Sequence, residues 1–169
     1  HKQDAQNLFG DANFLSFCRN YAAQKFHGRA LSKDRLRYIL NWHEDLKVWT
    51  YTLDDQLMGY VFAIEGNDFA HYWYSFYDLE LSKNLPVGKY MMTNFIELAS
   101  AENLKYVYLG TCYHKRSLYK ARDYKSIEFF DGNKWKNDLS ELKRRCKWDD
   151  KEKNVRADWL KIKDLEKQE

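Results

Sequence analysis

The chain has 169 residues, of which 44% are apolar, 31% charged and 17% aromatic, so it is long enough to bury one core and short for two domains. With 7 Gly and 1 Pro it is neither collagen-like nor a flexible linker, and no run approaches the roughly 18 apolar residues of a membrane span. The net charge is +3, but residues 1–110 carry 11 basic and 13 acidic side chains whereas residues 111–169 carry 17 and 12, so the basic excess lies in the last third.

The first half of the chain predicts two helices followed by three strands. Apolar residues recur at helical spacing over Asp11 to His27, and Ser32 is a typical N-cap for a second helix that reaches His43. Aromatic and β-branched runs then alternate with the short polar turns 54–56 and 66–68. The predicted strands are Leu46–Leu53, Leu57–Glu65 and Phe69–Tyr77, joined as an antiparallel meander.

The second half predicts a crossover and a basic C-terminal region. The only proline lies in a turn, Leu81 to Gly88, that opens a helix over about Lys89 to Glu102, and Lys105–Gly110 is a short apolar strand. A strand, a helix and a strand at this spacing form a right-handed crossover, so the third and fourth strands are expected to be parallel neighbours. The remaining predicted elements are a basic stretch over 113–125, a further strand over Ser126–Phe130 and two polar helices, Asp138–Lys147 and Val155–Lys167.

These elements predict an α+β fold with a mixed, mostly antiparallel sheet that has one parallel junction and is flanked by helices. The sequence has no internal repeat and no linker, so we expect a single domain over 1–169, with C-terminal helices of about 137–167 as an appendage. An open sheet diverges at such a junction, and a ligand can enter there opposite the N-terminus of the crossover helix.

The cysteines and histidines do not form a common metal motif. Cys18, Cys112 and Cys146 are far apart and odd in number, which indicates neither a disulfide framework nor a paired zinc motif. The five histidines show no HxxxH spacing. We therefore expect no metal, no membrane association and a reducing compartment, the cytoplasm.

The turn before the crossover helix is the first candidate site. Backbone N–H groups and the positive end of the helix dipole attract an anion or an oxyanion, and Gly88 lets a ligand approach the backbone closely. Lys83 and Lys89 add positive charge, and Tyr90 follows them. The alternative is an ordinary turn into a helix, because a phosphate-binding loop usually contains more glycine.

The basic stretch is the second candidate site. Residues 113–125 carry five Lys or Arg and one Asp, interleaved with three Tyr, a composition typical of phosphate binding combined with stacking surfaces. A solvated amphipathic helix is the alternative. The residues expected to hold phosphates are Lys115, Arg116, Lys120 and Arg122.

Other side chains could take part in the chemistry. Cys112 and His114 would face one side if the strand continued through them, as in a nucleophile and its base, although a cysteine there more often fills a core. Glu97 interrupts an apolar helix face, and could accept a proton or simply face solvent. The candidates for lining an acceptor cleft are Tyr72, Tyr74 and Tyr108.

Several of these segments resemble a known family. The segments are Leu85-Pro86-Val87-Gly88-Lys89-Tyr90, Ile96-Glu97-Leu98-Ala99, Tyr106-Val107-Tyr108-Leu109-Gly110 and Tyr119-Lys120. In order and approximate spacing they resemble the C-terminal domain of arginyl- and leucyl-tRNA–protein transferases, whose pattern runs LSLGKY, IELA, YLG and CxKMxYK. The resemblance covers roughly residues 71–135. It implies a fold similar to the Gcn5-related N-acetyltransferase (GNAT) superfamily.

The resemblance implies acyl transfer to an amine. In that family an aminoacyl group moves from the 3′ end of a charged tRNA to a protein N-terminus, so the expected partners are a tRNA acceptor end and a protein or peptide amine. Tyr119 would act as the general acid and Glu97 as the base. No tightly bound cofactor is expected. The expected donor-binding residues are Lys83, Gly88, Lys89, Tyr90, Cys112, His114, Lys115, Arg116, Lys120 and Arg122.

Two other functions are compatible with the same residues. An acetyl-CoA-dependent N-acetyltransferase carries a Q/R-x-x-G-x-G/A loop before the crossover helix; here Lys83 lies at the basic position and Pro86 where a glycine belongs. In that function Tyr119 would protonate the departing thiolate. The third possibility is a binding module of the same fold without catalysis.

Overall fold

The structure, a computed structural model, describes residues 1–26 and 31–151. The chain divides into two compact units, His1–Gly110 and Thr111–Glu169. The single domain predicted over 1–169 stays a prediction, and the helix predicted over Val155–Lys167 lies outside the described residues. Within the described ranges, no helix is both long and apolar enough to cross a membrane.

The first unit is a five-stranded sheet with helices on both faces. Its strands are β1 (Lys2–Asp4), β2 (Leu46–Leu53), β3 (Gln56–Glu65), β4 (Phe69–Tyr77) and β5 (Tyr106–Tyr108). Its helices are α1 (Ala12–Lys25), α2 (Lys33–Leu40) and α3 (Val87–Ala101), with 3-10 turns at Ala5–Leu8 and Leu81–Lys83. The strand order is β1-β2-β3-β4-β5, antiparallel except for the parallel pair β4–β5. The predicted α+β fold with one parallel junction is confirmed.

The first two helices begin at residues that the sequence indicates. The Asp11 side chain accepts hydrogen bonds from two amides of the first turn of α1, at 2.9 and 3.0 Å, and Ser32 Oγ accepts one at 3.0 Å from α2. Such caps satisfy amides that a first helical turn leaves without partners. Helix α2 ends at Leu40, so His43, which was expected inside this helix, lies beyond it.

The two faces of the sheet carry different helices. On one face α1 and α2 pack on the sheet, and Phe14 of α1 stacks on Phe62 of β3 with ring centroids 5.8 Å apart. On the opposite face Phe95 of α3 is fully buried between the rings of Trp49 and Tyr72. The chain passes from the end of β4 through a short turn into α3, so the N-terminus of this helix lies near the C-terminal end of β4.

The edge strand β1 was not predicted. It pairs antiparallel with β2, with Lys2 opposite Trp49. Lys2 Nζ lies 3.0 Å from carboxylate oxygens of both Glu65 and Glu102, and Glu65 also accepts a 2.8 Å hydrogen bond from Trp49 Nε1. This strand therefore depends on tertiary partners rather than on a hydrophobic pattern of its own.

The second unit contains short elements and one longer helix. Its elements are a 3-10 turn (Lys115–Ser117), α4 (Tyr119–Arg122), β6 (Phe129–Phe130), β7 (Trp135–Lys136) and α5, of which residues 139–151 are described. A small core surrounds Ala121, Leu142 and Cys146. The α5 helix begins next to Asp138, whose side chain accepts a 2.9 Å hydrogen bond from a first-turn amide, in agreement with the predicted start.

The strand predicted over Ser126–Phe130 is shorter than expected and does not join the main sheet. Ser126 has a φ of 58°, a left-handed conformation that cannot continue a strand. Only Phe129 and Phe130 are extended, and they pair with β7 in a separate hairpin. The predicted turn at 131–133 closes that hairpin.

The hairpin turn is held by one carboxylate. The Asp131 side chain is nearly inaccessible to solvent; it accepts hydrogen bonds from the amides of Asn133 and Lys134 at 2.8 and 2.9 Å and lies 2.7 Å from Lys136 Nζ. The bond to Lys136, followed by those to the amides, holds the pKa of Asp131 well below its ordinary value. The ionised form is therefore the one that the fold stabilises.

Asp131→Asn is expected to reduce the acid sensitivity of the protein. A carboxyl whose pKa is lower in the folded than in the unfolded state adds stability above its unfolded pKa of about 4, and this contribution is lost as the pH falls. Thermal unfolding of wild type and variant between about pH 7 and pH 3 measures it. The stability difference should be largest at pH 7 and shrink toward pH 3; parallel pH profiles would contradict the prediction.

Candidate functional site

The parallel junction between β4 and β5 is only three residues long. The register joins Phe69 with Tyr106, Ala70 with Val107 and His71 with Tyr108. Strand β4 continues to Tyr77, whereas β5 ends at Tyr108 and the chain turns at Gly110, whose φ of 74° favours glycine. No strand in the described part of the chain pairs with that side of β4 beyond His71. We call the region bounded by Tyr72–Tyr77 and Tyr108–Gly110 the wedge.

A β-bulge lies where the wedge begins. Tyr72 and Tyr74 pair with adjacent residues of β3, so Trp73 between them is an extra residue. A bulge interrupts the alternation of side chains and is frequent next to active sites. Accordingly, Tyr72 packs on Phe95 of α3, whereas Tyr74 packs on Phe62, which faces α1 on the other side of the sheet.

The start of α3 lies beside the end of β4. Pro86 is its N-cap and offers no side-chain acceptor, and the first turn contains no acidic residue. The positive end of the helix dipole is therefore not neutralised by these residues. Gly88 lies against Tyr77, because a Cβ at Gly88 would be 3.0 Å from Cε1 and 3.2 Å from Cζ of that ring. The absence of a side chain at Gly88 is what allows the helix start and the tyrosine ring to lie this close.

The predicted donor-binding residues of the first unit lie at this helix start. The predicted base, Glu97, does not. Lys89 and Tyr90 are exposed on the first turn of α3, and Lys83 in the preceding turn forms an ion pair with Glu80. Glu97, the predicted base, is exposed about 13 Å further along the helix, at 1.5 Å per residue from Gly88. Its position fits the alternative of a carboxylate facing solvent.

The three tyrosines predicted to line one acceptor cleft do not share a surface. Tyr72 is buried against α3 and Tyr74 packs into the opposite core. Tyr108 is 38% exposed, and its ring centroid lies 5.7 Å from that of Phe69 and 6.4 Å from that of His71. The expectation of a common cleft is wrong, because the bulge directs Tyr72 and Tyr74 to different faces.

Cys112, in the second unit, belongs to a small core. Its Sγ lies 4.0 Å from Sγ of Cys146, and the Cys146 thiol donates to the Cys112 carbonyl at 3.2 Å. Burial raises the pKa of the Cys112 thiol and raises that of Cys146 to about 12. Both thiols are thus neutral near pH 7, whereas a nucleophilic cysteine needs a stabilised thiolate. The structure favours the core-filling alternative.

His114 does not share a strand face with Cys112. Strand β5 ends before both residues, and His114 has a φ of 65°. Its Nδ1 lies 3.1 Å from Asp150 Oδ1, and the Lys115 amide donates to Asp150 Oδ2 at 3.2 Å. The strand does not continue through these residues, and Asp150 instead joins the start of the basic stretch to α5.

The basic residues of the second unit lie in different environments. Lys120 Nζ donates to the Thr111 carbonyl at 3.1 Å, and burial lowers the pKa of this lysine. Arg122 forms an ion pair with the neighbouring Asp123. These two cations are thus partly engaged within the unit. The exposed candidates of this stretch are Lys115, Arg116, Tyr119 and Arg122, the last of which is paired with Asp123.

Two residues in or beside the wedge were not predicted from the sequence. His71 and Tyr77 lie in a strand of nine residues, seven of them aromatic or histidine, where each position looks like core. The signal for His71 is that it is the only ionisable side chain of that strand other than the tyrosines. The signal for Tyr77 is its place as the last residue before the turn that leads to Gly88.

The family profile described as Acetyltransferase (GNAT) domain matches residues 2–126. A possible acetyltransferase from Clostridium difficile 630 has a similar structure, with a TM-score of 0.56 and 17% identity over 80% of this chain and 93% of that chain. An integron cassette protein from the mobile metagenome of V. cholerae gives a TM-score of 0.51 and 12% identity over 83% and 93%. An aminoglycoside acetyltransferase from an uncultured soil metagenomic sample, in complex with sisomicin, gives 0.48 and 15% over 79% and 95%. No curated protein matches the chain significantly.

The family assignment rests on the profile, which spans about three quarters of the chain. The likeness to solved structures, at these identities, concerns the fold alone. The predicted relation to the GNAT superfamily is confirmed, while nothing in these matches points to the arginyl- and leucyl-tRNA–protein transferases in particular. The chain belongs to the GNAT acetyltransferase domain family.

Proposed function

We propose that this protein transfers an acetyl group from acetyl-CoA to an amine. The observation that carries the proposal is the three-residue junction of β4 and β5, beyond which β4 continues to a helix start without an acidic side chain or a side-chain cap. The family assignment supports acetyl-CoA as donor ahead of charged tRNA. A protein or peptide amine as acceptor and a cytoplasmic location stay predictions.

The wedge has the features that a coenzyme A thioester requires. The pantetheine arm is narrow and carries amide groups, which can form hydrogen bonds with a strand edge that lacks a neighbouring strand. The pyrophosphate is an anion, and an unneutralised helix N-terminus attracts one. Gly88 is half-buried with the Tyr77 ring against it, and the exposed Lys89 beside it adds a positive charge. These residues of the first unit fit the donor.

The reaction requires little from the protein beyond orientation and proton transfer. A neutral amine attacks the thioester carbonyl carbon, the C–N bond forms, the C–S bond breaks, and the thiolate takes up a proton. Backbone N–H groups that point at the developing oxyanion lower the barrier. Tyr119 as the acid that protonates the thiolate stays a prediction.

Charged tRNA remains the second candidate donor. The exposed Lys115 and Arg116, together with Tyr113, which is 56% exposed, provide cations and a stacking surface of the kind that single-stranded RNA ends bind. This observation concerns binding of the nucleic acid and not the chemistry of transfer. The two candidate donors can therefore be distinguished by measuring which of them stabilises the protein.

A comparison of ligands by thermal shift tests the proposal. A ligand at 100 times its Kd stabilises the folded state by about 2.7 kcal/mol, which raises Tm by several degrees. We expect acetyl-CoA and CoA to do so, and uncharged or charged tRNA not to. Stabilisation by charged tRNA alone would favour the aminoacyl transferase, and stabilisation by none of them would favour a binding module.

Gly88→Val is expected to remove most of the acetyl-CoA-induced rise in Tm. The valine Cβ would meet the Tyr77 ring at 3.0 Å, and its methyl groups would cover the helix amides that the donor approaches. Ser100→Val is the matched control, since it places the same side chain at an exposed position near the other end of α3. An unchanged shift in Gly88→Val would contradict donor binding at this helix start.

A further inference from the structure

Transfer to an amine needs a group that takes up a proton near neutral pH. Most amines arrive as ammonium ions, and the attacking nitrogen must lose a second proton as the amide forms. General bases for such steps are effective when their pKa lies near the working pH, and histidine is the side chain that ordinarily titrates there.

His71, directly before the wedge, is the only His, Asp or Glu in the described segments that flank it. These segments are β4 (Phe69–Tyr77), residues 106–110 and the first turn of α3, residues 86–90. Apart from His71 they carry only tyrosine and Lys89 as ionisable side chains. Of these groups, His71 alone has an ordinary pKa that lets it be neutral and still basic at pH 7.

His71 also has the appropriate position. It forms with Tyr108 the last register pair before β4 and β5 diverge, and the two rings are perpendicular with centroids 6.4 Å apart. The bulge at Trp73 is two residues further on, about 7 Å along the strand. His71 is half-buried, so its ring retains access to solvent.

The ring lies on the sheet face opposite α3. The next residue, Tyr72, packs on Phe95 of α3, and successive side chains of a strand point to opposite faces. The titratable neighbour of His71 on β5 is Tyr108, and its register partner on β3, Ile64, is apolar. A donor bound at the start of α3 and an acceptor beside His71 would thus reach the wedge from different sides.

The carboxylates near these elements either have hydrogen-bond or ion-pair partners or lie away from the wedge. Glu65 is bound to Lys2 and to the indole of Trp49. Asp78, directly after β4, accepts a 2.9 Å hydrogen bond from the Leu81 amide. Glu97, the base expected from the sequence, is exposed well along α3.

We propose that His71 is the catalytic base that accepts the proton of the attacking amine. This assignment rests on the proposed function. The ammonium of the acceptor first loses one proton to solvent. As the C–N bond forms and the C–S bond breaks, the second proton passes to the imidazole, which returns it to solvent, and the CoA thiolate takes up one proton. The overall reaction releases one amide, one thiol and one proton.

Histidine NMR of the full chain tests the location and the protonation state of the base. The His71 ring signals are identified by their loss in His71→Gln. We expect acetyl-CoA to shift them and to leave unchanged those of His43, an exposed histidine beside Asp45 that serves as control. The His71 ring should be neutral at pH 8. Unmoved His71 signals in a protein that acetyl-CoA stabilises, or a ring still protonated at pH 8, would overturn the proposal.

A transfer assay tests the chemical role. Thiol release from acetyl-CoA is followed with a mixture of lysine, spermidine and a peptide with a free N-terminus. His71→Gln should retain the acetyl-CoA-induced rise in Tm but release thiol at least about 100-fold more slowly, the usual contribution of a general base. His43→Gln should match wild type. Equal rates in His71→Gln would refute the base, whereas a wild type that acetyl-CoA does not stabilise refutes the proposed function and the base with it.

Discussion

Phe95→Ala is expected to lower the free energy of unfolding by about 3–5 kcal/mol, the usual cost of removing a buried phenylalanine. Phe95 is fully buried in α3, with its ring centroid 5.5 Å from Trp49 of β2 and 5.4 Å from Tyr72 of β4. The substitution removes both edge-to-face contacts and leaves a cavity between the helix and the sheet. Because total stability is about 5–15 kcal/mol, much of it would be lost.

Urea unfolding measures this loss directly. Leu98→Ala is the matched control, because it also removes a large apolar side chain from α3, at a position that is 37% exposed. We expect that control to change the free energy of unfolding by less than about 1 kcal/mol. If Phe95→Ala cost no more than Leu98→Ala, the packing of α3 on the sheet would differ from that described.

Gly59→Ala is expected to cost about 3 kcal/mol, at the upper end of what overpacking costs. A Cβ at Gly59 would be 2.3 Å from the carbonyl oxygen of Phe76 and 2.8 Å from Cα of Tyr77. Both are backbone atoms of the neighbouring strand, so no side-chain rotation can relieve the contact. The strands β3 and β4 would have to separate near the end of β4, next to the start of α3.

Thermal unfolding against Gly10→Ala provides the comparison. A Cβ at Gly10 meets nothing within 4 Å, so this variant changes mainly the entropy of the unfolded chain and should be neutral or slightly stabilising. For Gly59→Ala we expect Tm to fall by about 6–12 °C. Similar Tm values for the two variants would show that β3 and β4 do not approach as closely as described.

The sequence predicts the meander well because its signals are local. The strands Leu46–Leu53 and Phe69–Tyr77 have the predicted bounds, since each is a β-branched or aromatic run that ends at a polar turn. In the first of those turns Asp54 and Asp55 both have positive φ, as a two-residue hairpin turn requires. The parallel junction follows from chirality and spacing alone, which is why it too was predictable.

The candidate site could be predicted only in outline. The turn into α3 was identified from Gly88 and its flanking lysines, but the bulge at Trp73 leaves no trace in the sequence. A bulge is recognised when polar and apolar residues fall out of alternation, and here the residues on both sides are aromatic. The expected tyrosine cleft failed for that reason, and His71 was missed because an aromatic strand suggests core at every position.

The second unit was the least predictable part. The chain bends at His114 and Ser126, which have positive φ although neither is a glycine, so the sequence does not indicate these bends. The ties that shape it, from Asp150 to the start of the basic stretch and from Asp131 to Lys136, join residues that are distant in sequence or lie across a turn. Charge counts describe such a region as basic but do not show which cations remain exposed.

The extra residue in β4 has a consequence for how the strand tolerates deletion. Deleting Trp73 would place Tyr72 directly before Tyr74, and these two tyrosines already face opposite sides of the sheet and pair with adjacent residues of β3. The shortened strand would therefore alternate regularly, and Tyr74 and Phe76 would keep their present core. An ungapped comparison with a strand that has no bulge would assign the inward and outward side chains of Tyr74–Tyr77 in reverse, whereas a comparison that leaves Trp73 out assigns them correctly.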